Sequence, residues 1–174
     1  MTAEIRTDRL ALTPAGPRYA LSTHAYAGDP AHTRYMMNLP NDSLEETAAF
    51  LQQAEDEWKK ECPSFFEFAV LLDGAHIGAV SAWREEDGGF ELGWIIHPDH
   101  TGRGYALEAA RALMDWCVDV QGAPRIIAHC DAENAASARL MEKLGLVRVA
   151  ACGGRHNRGS DEERTEWIYE WVKG

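Results

Sequence analysis

The chain has no apolar run near the roughly 20 residues that a membrane-spanning helix needs. Its start, Met-Thr-Ala-Glu-Ile-Arg, lacks the basic-then-apolar pattern of a secretory signal. A cytoplasmic location without a membrane partner is therefore expected. Positive charge is scarce: 17 Lys and Arg stand against 28 Asp and Glu, a net charge of −11. Such a surface repels a phosphate backbone, so no nucleic-acid partner is expected, whereas a cationic partner such as an amine is attracted. The same charge also serves plain solubility. Cysteine is sparse. Cys62, Cys117, Cys130 and Cys152 form no C-x-x-C pair, which argues against zinc and disulfides. The last three sit in apolar segments and read as buried small hydrophobes. His97 and His100 have H-x-x-H spacing with no third ligand, so no metal is expected. Repeats, linkers and low-complexity tracts are missing as well. A length of 174 residues suits one domain over 1–174 with a sizeable core.

What is present reads as a mixed α/β chain in the order β-α-α-β-β-β-α-β-α-β-β. Glu4–Thr13 suits a first strand, and Pro14–Ala27 a weakly patterned helix. Asp29-Pro30 looks like an N-cap followed by proline at the first helical position, starting a short helix through about Asn38. Ser43-Leu-Glu-Glu46 is a capping box, and behind it Thr47, Leu51, Ala54 and Trp58 recur at helical spacing. Phe65–Leu72 and Ala75–Trp83 read as strands joined at Asp73-Gly74, and the Glu85–Gly89 turn leads to a third, Phe90–Ile96. The Gly104–Val120 segment places Ala106, Ala109, Leu113, Cys117 and Val120 on one helical face. Strand Arg125–Cys130 and helix Ala135–Leu144, stopped by Gly145, follow. Leu146–Cys152 and Thr165–Val172 are the last strands. The final one alternates Trp167, Tyr169 and Trp171, which could pack in the core or pair across a homodimer. Gly153–Arg164, polar and glycine-rich, reads as a mobile loop.

The most informative segment is His97–Cys117, His-Pro-Asp-His-Thr-Gly-Arg-Gly-Tyr-Ala-Leu-Glu and onward. A strand runs into a turn carrying Gly102 and Gly104, and the turn opens straight into a helix. Glycines let a phosphate approach the backbone, and the first N–H groups of the helix point at it. This turn resembles the pyrophosphate signature Q/R-x-x-G-x-G/A of the GNAT superfamily of acyl-CoA-dependent N-acyltransferases, with Thr101 where Gln or Arg is usual. About 30 residues on, Asp131-Ala-Glu-Asn-Ala-Ala-Ser-Ala-Arg-Leu-Met-Glu-Lys-Leu-Gly-Leu146 resembles the superfamily's N-x-x-S…E-K-x-G-F element. Thr7-Asp-Arg-Leu-Ala-Leu12, Asp29-Pro30 and the Trp58 region are similar to the branch of ribosomal-protein N-terminal (alanine/serine) acetyltransferases.

The resemblance implies a GNAT-type fold, α/β (α+β): a mixed, mostly antiparallel sheet of about seven strands flanked by helices. The sheet would be splayed between its fourth and fifth strands, Phe90–Ile96 and Arg125–Cys130. It implies acetyl-CoA as donor co-substrate and a primary amine as acceptor, attacked directly in a ternary complex. The acceptor would be a protein N-terminal α-amine, or alternatively a small cationic amine such as a polyamine or aminoglycoside. Gly102, Arg103, Gly104, Tyr105 and Ala106 would hold the pyrophosphate, Trp94, Ile95 and Ile96 the pantetheine arm, and Asn134 and Ser137 the region near sulfur. Ser137 could protonate the leaving thiolate. Met141 stands where many relatives carry a tyrosine acid.

A general base has work to do, because the acceptor is protonated at neutral pH. Freeing an α-amine of pKa about 8 costs roughly 1.4 kcal/mol at pH 7, and a lysine amine roughly 4.6. Glu91 is the first candidate, His129 the second and His156 the third. No cysteine has the setting of an acyl-enzyme nucleophile. Two other classes compete. A dinucleotide oxidoreductase would want glycine where Leu107 stands, and a βαβ unit before it. A non-catalytic acyl-CoA-binding regulatory module would bind acetyl-CoA without releasing thiol.

Overall fold

A computed structural model describes residues 3–174. The chain runs β1 (Ile5–Arg6), β2 (Leu10–Pro14), α1 (Ala20–Ala27), α2 (Leu44–Trp58), β3 (Phe65–Leu72), β4 (Ala75–Arg84), β5 (Phe90–Ile96), α3 (Tyr105–Asp119), β6 (Arg125–Asp131), α4 (Ala135–Lys143), β7 (Val147–His156) and β8 (Glu163–Val172). The strands form one sheet in the order β1-β2-β3-β4-β5-β6-β8-β7. Among the described residues only β5 and β6 pair in parallel. The mixed, mostly antiparallel sheet expected is present, with eight strands among the described residues where about seven were expected. The extra one comes from the first segment. Thr7 N–H donates to Leu10 O and Leu10 N–H to Thr7 Oγ1, both at 2.9 Å, folding Glu4–Thr13 back on itself.

Local chemistry sets most elements. At Asp73-Gly74 both φ angles are positive, +50° and +81°, as a two-residue hairpin turn demands. Ser43 accepts from Glu46 N–H at 3.2 Å, while the Glu46 carboxylate reaches Asp42 N–H (3.0 Å) rather than closing the box on Ser43. Behind that cap Thr47, Leu51 and Ala54 are buried, and Leu51 packs on Ala15 and Ala69 of β3. The other face of the sheet carries the main core, in which Phe66, Phe68, Val80 and Leu92 meet Leu113 and Cys117 of α3 and Met141 of α4.

Several expectations need correction. Asp29 does cap the turn after it, its Oδ1 accepting from Ala31 and His32 N–H, but Pro30–Tyr35 stays a run of turns and no helix propagates. Tertiary bonds hold that segment instead: the His32 ring donates to Ile96 O at 2.7 Å, and Tyr35 O accepts from Arg155 at 2.7 Å. The Pro14–Ala27 helix begins only at Ala20, after a single 3-10 turn at Pro17–Tyr19. Val120 is the cap of α3 and 66% exposed, off the packed face. Cys152 is exposed.

The largest correction concerns Gly153–Arg164. A bulge at Gly153-Gly154, with φ +82° at Gly154, lets β7 continue to His156, so only residues 157–162 form a loop. β8 lies between β6 and β7, and its aromatic residues serve the core: Tyr169 is buried, and Trp167 and Trp171 pack against the same cluster. A buried ion network fixes this end. Asp131 is 1% exposed and accepts from Arg164 at 2.9 and 3.1 Å and from Asn157 at 2.8 Å. Burial alone would raise its pKa, but Arg164, the Glu133 N–H and Asn157 outweigh that and hold it below the ordinary range. Removing one partner of such a network strands the other charge. Asp131→Ala is expected to cost about 3 kcal/mol, lowering Tm by roughly 6–12 °C in a calorimetric scan. A Tm within about one degree of wild type would show the network to be dispensable.

Candidate functional site

Strands β5 and β6 are in register at only two pairs, Phe90↔Ile126 and Glu91↔Ile127. From Leu92 onward they diverge, which is the splay expected between these strands. His97 N–H donates back to Ile77 O of β4 at 2.7 Å. Strand alternation then aims the N–H groups of Trp94 and Ile96 away from β4, into the gap, and that of Ile95 toward β4. The Trp94 indole donates to Ser137 Oγ at 3.3 Å across the opening. Ser137 N–H donates to Asn134 Oδ1 at 3.3 Å, so Asn134 caps α4 and faces the gap at once.

At the end of β5 lies the glycine turn. Gly102 and Gly104 have φ of +78° and +81°, where a side chain would be strained. Among the described residues, the N–H groups of Tyr105, Ala106 and Leu107 at the head of α3 have no backbone or side-chain acceptor. Arg103 is exposed. Sequence reasoning missed a second cation here. Arg9 donates to Arg103 O at 3.0 Å, lies 4.5 Å above the Tyr105 ring, and pairs with Glu108 at 2.7 Å. Thr7 also bonds Glu108, so the β1–β2 turn clasps the first turn of α3. The signal lay in Thr7-Asp-Arg9, too far along the chain for local reasoning to join to the glycines.

The gap opens into a cavity of about 560 Å³. It is bordered by Tyr35 to Leu39, by Glu46 and Phe50 of α2, and by β3, β4 and β5, with His129, Asn134 and Ser137 at the far side. Glu91 and His129 meet there. His129 Nε2 is 3.5 Å from Glu91 Oε1, without hydrogen-bond alignment, and its Nδ1 is 3.3 Å from Glu166 Oε1. Arg155 anchors Glu166 at 2.8 Å. Burial pushes Glu91 above the ordinary carboxylate range; His129 pulls against it, and Glu85 and Glu166 add to the rise. His156 is exposed and outside the cavity lining, and Met141 is fully buried in the core.

A further carboxyl was invisible in the sequence. Glu67 of β3 is 8% exposed and lines the cavity, yet no described group hydrogen-bonds its carboxyl. Burial pushes its pKa up to about 8. The phenol of Tyr26, buried on α1, is raised by burial and then by the Glu67 charge. In the sequence Glu67 is one acid inside Phe-Phe-Glu-Phe-Ala-Val-Leu-Leu, and the only signal was a charge in an otherwise apolar strand.

The family description "Acetyltransferase (GNAT) domain" matches residues 9–147. The chain belongs to the GNAT acetyltransferase family. An uncharacterised N-acetyltransferase of Bacillus subtilis (strain 168), YnaD, is 41% identical over 104 residues, 60% of this GNAT chain and 59% of the relative. The match thus spans little more than half of that relative. Solved structures agree on the GNAT fold over nearly the full length. A GNAT-family acetyltransferase from Bacillus anthracis superposes with TM-score 0.83 at 24% identity, covering 98% of both chains. The ribosomal L7/L12 α-N-protein acetyltransferase RimL, solved with coenzyme A, gives 0.87 at 16% identity, again over 98% of both. No helix among the described residues is long and apolar enough to cross a membrane.

The unpaired Glu67 makes the stability of this GNAT domain depend on pH. Its carboxyl titrates near 4.5 when exposed and near 8 in the fold. The folded state holds the proton more tightly across that window, so this contribution is intact below 4.5 and is lost as pH rises to 8. Glu67→Gln is expected to raise Tm over wild type by about 5 °C at pH 9 and by far less at pH 5. Equal offsets at both pH values would contradict a proton held by burial.

Proposed function

We propose that this protein is an acetyl-CoA-dependent N-acetyltransferase that passes the acetyl group to a primary amine by direct attack in a ternary complex. The failure of β5–β6 pairing next to an open helix head carries the reading. It supplies unpaired strand N–H groups, followed along the chain by an anion cradle. The residues fit the donor. The N–H groups of Gly102 to Ala106 would face two phosphates at the positive end of α3, with Arg103 adding charge and Arg9 steadying the turn. The Trp94–Ile96 edge would take up the pantetheine arm, and a fixed N–H there would stabilise the developing oxyanion. Coenzyme A in the RimL neighbour supports the donor's identity.

The proton travels the other way. Glu91, with its raised pKa, is closer in basicity to an amine than an ordinary carboxylate and would take the proton directly or through water. His129 beside it, backed by Glu166 and Arg155, would pass that proton on. Asn134 would position the arm, and Ser137 would hydrogen-bond the leaving thiolate and relay a proton to it, taking one from solvent in the same step. A protein N-terminal α-amine is the first acceptor reading, in keeping with the RimL neighbour's name. A small cationic amine is the second, favoured by Glu46, Glu67 and Glu91 around a cavity of small-molecule size.

Thiol release from acetyl-CoA across an amine panel tests the reading; tight acetyl-CoA binding without release would favour a regulatory module. Glu91→Gln is expected to lower kcat about 100-fold at pH 7 and to recover as pH rises and free amine accumulates. An unchanged kcat and pH profile would remove Glu91 from the reaction. For the cradle, Gly104→Asp is expected to abolish CoA binding in calorimetry while the circular dichroism stays native. Undiminished binding in that variant would refute the phosphate assignment.

A further inference from the structure

Glu67 is a buried carboxyl that the reaction above leaves without a task. The sheet register fixes its place. Glu67 pairs with Ser81 of β4, and Ser81 with Gly93 of β5, so the three lie in one row across the face that floors the cavity. At about 4.8 Å per strand, the Glu67 backbone is roughly 10 Å from that of Gly93. Gly93 sits where β5 has just parted from β6, beside the gap in which the acetyl group would lie. Glu67 is thus too far off to touch the attacking nitrogen, and Glu91 is the nearer acid.

The row between them is clear of bulk. A side chain at Gly93 would come within 2.9 Å of Ser81 Oγ, so only glycine leaves this stretch low. Ala79 continues the low floor, and Met36, Leu39 and Phe50 supply apolar walls. The passage therefore has a low middle, Ser81 between apolar walls, with an acid at each end.

Two other carboxylates at this end of the protein have arginines of their own. Glu46 is held by Arg158, and Glu166 by Arg155. Glu67 has none among the described residues, and Tyr26, the neighbour whose titration it perturbs, brings no positive charge. An unpaired buried acid costs stability, and a cost without a structural return marks a functional position.

We propose that Glu67 anchors the acceptor by receiving a second cationic nitrogen, while the first nitrogen lies over Gly93 for acetyl transfer. This rests on the acetyltransferase reading above and deepens it. Once the reach of the glutamate side chain is subtracted, the two nitrogens are joined by an extended spacer of roughly five to seven bonds. On binding, the carboxyl gives its proton to solvent and an ammonium–carboxylate pair remains. The acceptor class is an amine with a second, distal cation. A free diamine offers it, and so does a peptide whose N-terminal residue is lysine, with its two nitrogens about six bonds apart.

The test is thiol release from acetyl-CoA with n-butylamine, 1,4-diaminobutane, 1,6-diaminohexane and 1,8-diaminooctane, and with alanyl-alanyl-alanine against lysyl-alanyl-alanine. In the wild type the best diamine or the lysyl peptide is expected to exceed its singly charged counterpart in kcat/KM by about ten-fold or more, chiefly through KM. Whichever pair shows the gap identifies the source. In Glu67→Gln that ratio should fall to near one, and Glu67→Asp should keep it with the optimum moved to a longer diamine. Equal use of singly and doubly charged acceptors by the wild type, or a preference that survives Glu67→Gln, would overturn the anchor. If no amine releases thiol, the reaction fails, and the anchor is judged apart from it by calorimetric binding of the same compounds to the CoA-bound protein. Diamine binding lost in Glu67→Gln would uphold it; equal or absent binding would not.

Discussion

The parallel contact between β5 and β6 lasts for two residue pairs, and the candidate site depends on its ending there. A parallel ladder that continued past Glu91 would use up the N–H groups of Trp94 and Ile96 and close the cavity floor against His129. Ending the ladder at Glu91 leaves donors that nothing in the strand frame satisfies, an arrangement that persists only where the surroundings hold it or a ligand fills it. Here the holding is visible. The Trp94 indole spans to Ser137, Asn134 caps α4 at the far bank, and the His32 ring occupies the Ile96 carbonyl at the near end. The glycine turn follows a few residues later, so a strand edge and a helix head with unsatisfied N–H groups lie close together along the chain.

Charge organises the acceptor side in a graded way. Arg158 ties the 157–162 loop to Glu46 and to Asn38 O, and Arg155 ties β7 to Tyr35 O and Glu166. These bonds shape the Tyr35–Leu39 wall that a helix would otherwise have formed. Two acids inside that wall stay outside the network. Glu91 is moderated by His129, and Glu67 by nothing among the described residues. A chain with net charge −11 that also buries an unpaired carboxyl is arranged to draw in a cation.

Features that rest on neighbours in sequence were legible in advance. The Asp73-Gly74 hairpin, the Ser43 cap, the ends of β3 and β5, and the glycine turn all follow from local backbone preference. The splay and the Asn134–Ser137 element came from the family resemblance. What sequence could not show was tertiary. Asp29 made its cap, yet His32 and Tyr35 found partners elsewhere and the helix did not grow. Gly153–Arg164 has the composition of a loop, but pairing with β8 and the Arg155–Glu166 bridge make half of it strand. Glu67 was hidden by the apolar residues around it, and Arg9 by about a hundred residues of chain between it and the turn it braces.

The proposed acyl-donor slot depends on unpaired strand donors that the donor molecule fills. Amide hydrogen exchange at Trp94 and Ile96, resolved by NMR with and without acetyl-CoA, reads them directly. The expected result is fast exchange at both amides in the free protein, slowed strongly when acetyl-CoA is added, with β3 and β4 unchanged. Amides already protected in the free protein, or indifferent to acetyl-CoA while it binds, would contradict the assignment of the β5–β6 gap as the acyl-donor slot.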